Sequence, residues 1–245
     1  MPVSKSVHIE FIGTAASGKS SVSRALEDVL RKDGSRVVFA STREIASLGK
    51  CKRYFYPIGF ALRNKKTARS LFFIVFYCFL LFPLRKIEIK NYYLLVVSFL
   101  LKNYHENNKE KSIFIFGGEA SLIVNLPIHR LGHKSLDFFI DTLYIHDVAR
   151  VFIFVKTPME VTIKRAYGDY MENRVEAKLR PEIFYLDAVK RELFYKKSLE
   201  NQERLIGIFR QKGEGFTIII IDGTKNPLRN AEHIAQIVKR INHDK

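Results

Sequence analysis

The run Gly13-Thr14-Ala15-Ala16-Ser17-Gly18-Lys19-Ser20 constrains this chain more than any other stretch, because it is a complete G-x-x-x-x-G-K-[ST] pattern. Its setting matters as much as its spacing. Ahead of it, Val7-His8-Ile9-Glu10-Phe11-Ile12 reads as a buried strand; behind it, Val22, Ala25, Leu26, Val29 and Leu30 mark the apolar stripe of a helix. Gly13 and Gly18 permit backbone conformations and a close approach that a side chain would block, so successive N–H groups can turn around a phosphate at a helix N-terminus. The residues expected to surround the phosphates of ATP are Gly13, Thr14, Ala15, Ala16, Ser17, Gly18, Lys19, Ser20 and Ser21. Lys19 is expected to reach the β- and γ-phosphates, and the Ser20 hydroxyl to serve Mg²⁺.

With 245 residues and 47% hydrophobic content, the chain can bury one good core, and no linker divides it, so one α/β domain over 1–245 is expected. The residues ahead of the loop lack the apolar core of a secretory signal, and a cytoplasmic protein is expected. Cys51 and Cys78 have no metal-like spacing and read as reduced thiols. A formal charge of +16 suits phosphates, nucleic acid or an anionic membrane face, and charge alone does not choose among them. Neither a nucleic-acid reader motif nor a concentrated basic and aromatic platform is present, which disfavours nucleic acid.

Further strands are expected at Arg36–Ala40, Ile113–Phe116, Arg150–Val155 and Phe216–Ile221, each short and continuously apolar, as strands buried on both faces are. Lys32-Asp33-Gly34-Ser35 closes the first helix with a glycine cap. Thr157-Pro158 and Asn226-Pro227 each read as an N-cap followed by a proline at a helix start. Strands alternating with helices imply a mostly parallel five-stranded sheet covered on both faces.

Residues 51–110 form a hydrophobic and basic helical insertion. Leu71 to Phe82 is an uninterrupted apolar run framed by cations such as Arg63, Lys65, Lys66, Arg69 and Arg85. At ~1.5 Å per residue it spans roughly 18 Å, short of the roughly 30 Å hydrocarbon core of a bilayer. A helix buried on all sides, a homodimer interface, and contact with an anionic membrane face or a lipid-linked acceptor all remain open. The ordinary preference of such side chains for interiors favours burial.

Several stations along the chain resemble the thymidylate kinase-like group of P-loop nucleotide and small-molecule kinases. Thr42-Arg43-Glu44 looks like its T-R-E-P acceptor motif, Ile221-Asp222-Gly223-Thr224 like its I-D-G turn beside the adenine, and Val151 to Arg165 like its approach to the lid. The resemblance implies transfer of the γ-phosphoryl group of ATP, with Mg²⁺, to a small-molecule, nucleotide or lipid-linked acceptor. Arg43 and Glu44 would face that acceptor; Asp222, Gly223, Thr224 and Lys225 would line the adenine side. Within a lid over 156–182, Arg165, Arg174 and Arg180 are the cations to close over the phosphates, Arg165 first among them, with a solvated helix face as the alternative for each. The chain departs from the group after the third strand, where Gly117-Gly118-Glu119 replaces an Asp-Arg pair. Glu119 is therefore expected to take the acceptor proton or hold Mg²⁺ through water, a helix-capping role being the alternative.

His129 and His133 stand four apart without a third ligand, and Asp137, Asp141 and Asp147 read as surface or capping residues. A kinase is the preferred reading. A regulatory module that binds or hydrolyses a nucleotide is the rival, kept open because no clear aspartate follows the third strand.

Overall fold

The computed structural model describes residues 7–14, 16–40, 65–81, 96, 99, 113–116, 132–144, 149–172, 188–213 and 216–243. Strands β1 (Val7–Ile12), β2 (Val37–Ala40), β3 (Ile113–Phe116), β4 (Ala149–Lys156) and β5 (Phe216–Asp222) form one sheet in the order β2-β3-β1-β4-β5. Every neighbouring pair is parallel, so the sheet expected to be mostly parallel is wholly so. β1 lies at the centre, with Val7 level with Ile113 on one side and Ala149 on the other. Parallel strands need crossovers that cover both faces, and all six residues of β1 and all but Lys156 of β4 are buried.

One face carries α1 (Lys19–Lys32) and α6 (Pro227–His243), packed side by side. Val7, Ile9 and Phe11 of β1 point to this side, as alternation along a strand requires, and meet Val22, Leu26 and Leu30 of α1 and Ala231, Ile234 and Val238 of α6. Burying each Leu or Ile here contributes about 1.5–3 kcal/mol. The chain punctuates both helices where the sequence indicated. Gly34 adopts φ 76°, its amide donates to the Arg31 carbonyl and that of Ser35 to the Leu30 carbonyl, which closes α1 in a Schellman motif. Asn226 Oδ1 accepts from the Leu228 amide at 2.8 Å and starts α6 just before Pro227.

The opposite face is covered by α2 (Lys65–Leu81), α3 (His133–Leu143) and α5 (Ala188–Gln211), while α4 (Met159–Glu172) follows β4. Its core is aromatic: Phe152 stacks on Phe209 with ring centres 4.0 Å apart and on Phe216 at 5.6 Å, with Tyr144 edge-on to Phe152. Buried polar groups interrupt it. The Tyr144 hydroxyl donates to Glu10 at 3.0 Å, and the Arg150 guanidinium lies 4.8 Å from the centre of the Tyr144 ring. Buried charges of this kind persist where partners meet them.

Burial of the first apolar run on all sides is not what the structure shows. Within α2, Thr67, Ser70 and Ile74 face inward, whereas Phe72, Val75 and Phe76 are exposed. An unbroken apolar run has no period of its own, so the choice of face falls to the neighbours, and among the described residues α3 is the helix packed most closely on it. No helix among the described residues is long and apolar enough to cross a membrane.

Candidate nucleotide-binding site

Strand β1 hands the chain to the phosphate loop at the carboxyl edge of the sheet, the edge at which ligands bind in open parallel sheets. A Cβ on Gly13 would lie 2.6 Å from Ser17 Oγ and 3.0 Å from the Val155 carbonyl, so only glycine lets the loop pass β4 this closely. Ala16 (φ 57°) and Gly18 (φ 94°) are both left-handed, a pattern that turns successive amides toward one side. Gly18 then starts α1 with no side-chain cap and no acidic residue in its first turn. Uncapped amides at a helix N-terminus are a built-in anion site. Thr14 and Ser17 are buried, Ser17 Oγ has no hydrogen-bond partner among the described residues, and Ser20 and Ser21 stand exposed on the first turn.

Lys19 turns back on its own loop. Its ammonium donates to the carbonyls of Gly13 at 2.6 Å and Thr14 at 2.5 Å, lying across the loop from which it springs. A charged donor takes the nearest strong acceptors, and those are the loop's own oxygens.

Two other motifs arrive at the same edge. From α4, Arg165 Nη1 donates to the Gly223 carbonyl at 2.9 Å, and a Cβ on Gly18 would lie 3.6 Å from that nitrogen and 3.5 Å from the same carbonyl. Gly18, Arg165 and Gly223 therefore meet at one point. The turn after β5 is fixed from several directions: the Gly223 amide donates to the Lys156 carbonyl at 2.7 Å, and Asn230 Nδ2 donates to the Asp222 carbonyl at 2.8 Å. Asp222 Oδ1 accepts from the Thr224 hydroxyl at 2.6 Å and its amide at 2.8 Å. The hydroxyl first and the amide next hold the Asp222 carboxyl below its usual range, with Lys225 and Arg165 adding charge in the same direction.

Thr157 departs from the role its sequence position suggested. Its hydroxyl does not cap α4; it donates to the Ser17 carbonyl at 2.9 Å and fastens the loop to the end of β4. A Cβ on Gly223 would overlap both that hydroxyl and that carbonyl. Thr157, Ser17 and Gly223 form a seam between β4, the loop and β5. Sequence reading missed this use of Thr157, and it missed Asn230 altogether; the position of Thr157 directly behind β4, at the ligand edge, was the available signal.

Ala15, Arg43, Glu44, Glu119, Arg174, Arg180, His129 and Asp147 lie outside the described residues. Asp137 and Asp141 both pair with Lys212, at 2.6 and 2.5 Å, in keeping with a structural part. Burial by itself would lower the Lys212 ammonium, but the hydrogen bonds and charges of Asp137 and Asp141 outweigh it and raise its pKa above the usual value. For Mg²⁺, the exposed Ser20 hydroxyl beside the uncapped helix end fits a first-turn ligand, and such an ion takes few protein ligands when phosphates supply the rest.

No family model matches the sequence, and no curated protein does. Solved structures similar to it include deoxyadenosine kinase from M. mycoides with bound dATP, at 13% identity and TM-score 0.49 over 95% of this chain and 99% of that one. The same enzyme with dCMP and a flexible dCDP bound gives 14% and 0.45, over 95% and 98%. The crystal structure of APE1195 gives 14% and 0.46, over 97% of this chain and 96% of that one. Likeness at these identities and TM-scores speaks to neither substrate nor catalytic residues.

Proposed function

We propose that this chain is a phosphotransferase that binds MgATP at the Gly13–Ser20 loop and passes the γ-phosphoryl group to a hydroxyl or phosphate of a small-molecule, nucleotide or lipid-linked acceptor. The observation that carries this reading is the meeting of Gly18, Arg165 and Gly223 beside an uncapped helix N-terminus. Such a transfer requires positive charge around the migrating group, a fixed acceptor and little water. Lys19 trades the carbonyls of Gly13 and Thr14 for the β- and γ-oxygens, Ser20 holds Mg²⁺, and Arg165 leaves Gly223 for the nucleotide as α4 closes. Asp222, Gly223 and Thr224 flank the base. Arg43 positions the acceptor, and Glu119 takes its proton or serves the metal.

γ-Labelled ATP incubated with nucleosides, nucleotides, sugars and isoprenoid-linked glycans tests this directly. Label should move to an organic acceptor, and Lys19→Ala should lower the transfer by about 10²–10³-fold or more. If only free phosphate is released whichever acceptor is supplied, the protein is the nucleotide-hydrolysing regulatory module instead.

A further inference from the structure

Helix α2 departs from an ordinary surface helix: beside Ile74 it buries Thr67 and Ser70, and it exposes Phe72 and Phe76. Phe72 is 66% exposed, Phe76 47% and Val75 38%; on α3, Phe138 is 44% exposed. These side chains are contiguous. Phe72 and Phe76 stack at 6.1 Å, Phe72 meets Phe73 edge-on, and Phe73 meets Phe138 edge-on at 5.7 Å. The Arg69 guanidinium, itself exposed, lies 5.9 Å from the centre of the Phe73 ring and sets positive charge at the margin of the patch.

Charge identifies the occupant. Between Glu44 and Glu88 the chain has no acidic residue across 43 positions and nine Lys or Arg, more than half of the net +16 of the whole protein. Lys65, Lys66 and Arg69 lie on α2 itself, so a second copy docked on this helix would set like charges against one another. Among the described residues the exposed patch amounts to on the order of 350 Å² at roughly 200 Å² per aromatic ring, below the ~800 Å² per partner of a stable dimer. Aromatic side chains with Arg69 at their margin, on a helix that among the described residues is not long and apolar enough to cross a membrane, suit an anionic lipid surface, where rings enter the headgroup boundary and Lys and Arg meet the lipid phosphates.

We infer that the outward face of α2, with Phe138 of α3, docks this protein on anionic membrane surfaces. The inference is independent of the catalytic reading, since none of these residues touches the phosphate loop.

Co-sedimentation of the full chain with phosphatidylcholine vesicles, with and without phosphatidylserine, tests it. Wild type should pellet with the anionic vesicles alone and be released by salt. Phe72→Ser/Phe76→Ser should weaken that binding at least about tenfold. Wild type remaining in the supernatant at low salt overturns the inference, and so does a double variant that binds as wild type does. Sedimentation velocity without vesicles adds a further check: a dimer that the double variant dissolves would make a second copy the occupant and overturn the lipid assignment. The chain contains no Trp, so the conservative Phe76→Trp variant supplies a single reporter even if the double variant folds poorly. Its emission should shift to the blue on anionic vesicles and be quenched by brominated lipid; emission unchanged by either overturns the inference.

Discussion

The two faces of the sheet are built on different terms. The layer under α1 and α6 is aliphatic apart from Phe11, α1 is closed by Gly34 and α6 is started by Asn226, and the layer holds the helix that carries the phosphate loop. The layer under α2, α3 and α5 mixes stacked aromatic rings with buried polar groups, among them Ser198 Oγ and Gln202 Nε2, which have no hydrogen-bond partner among the described residues. The contrast shows where precision is placed: the aliphatic side fixes the loop, and the aromatic side tolerates imperfect pairing.

Truncation separates the two most sharply. Leu26→Ala, on the aliphatic side, should cost about 3 kcal/mol in a denaturant titration, because rigid neighbours leave a cavity. The seam comes next: Gly223→Ala forces a methyl into Thr157 Oγ1 and the Ser17 carbonyl, and should cost about 2 kcal/mol with a parallel loss of nucleotide affinity. Thr157→Val keeps the volume and removes only the bond to Ser17, so about 1 kcal/mol is expected, with nucleotide binding weakened more than that change in unfolding midpoint would suggest. On the aromatic side, Gln202→Leu removes a buried Nε2 that has no partner among the described residues, and stability should hold or rise by up to about 1 kcal/mol. If Gln202→Leu is as damaging as Leu26→Ala, the two layers are equally exacting and the contrast fails.

The smallest effect concerns pH. Asp222 is held below its ordinary value of 3.8, so its contribution is present above that value and fades as pH falls through the lower folded-state value. Any stability gap between wild type and Asp222→Asn should therefore be constant near neutrality and close only in acid below 3.8, as followed by thermal melts across pH.

Much of this was legible in the chain. The five strands announce themselves because strands buried on both faces are continuously apolar, and Gly34 and Asn226-Pro227 set helix ends by local chemistry alone. The glycine loop, the Asp222-Gly223-Thr224 turn and Arg165 were nominated from motifs, and they meet at one edge. What escaped depends on partners distant in sequence. Thr157 looks like a cap until Ser17, 140 positions away, offers a carbonyl. Strand order rests on crossovers rather than on the strands themselves. The outward face of α2 could not be chosen from a run without periodicity.

Lodged on the carbonyls of Gly13 and Thr14, the Lys19 ammonium makes ligand entry an exchange and not a simple filling. An incoming anion must outbid two neutral oxygens at once, which weakly charged or monodentate species do poorly and a polyphosphate does well. Under the proposed function, that ammonium would serve as both placeholder and filter.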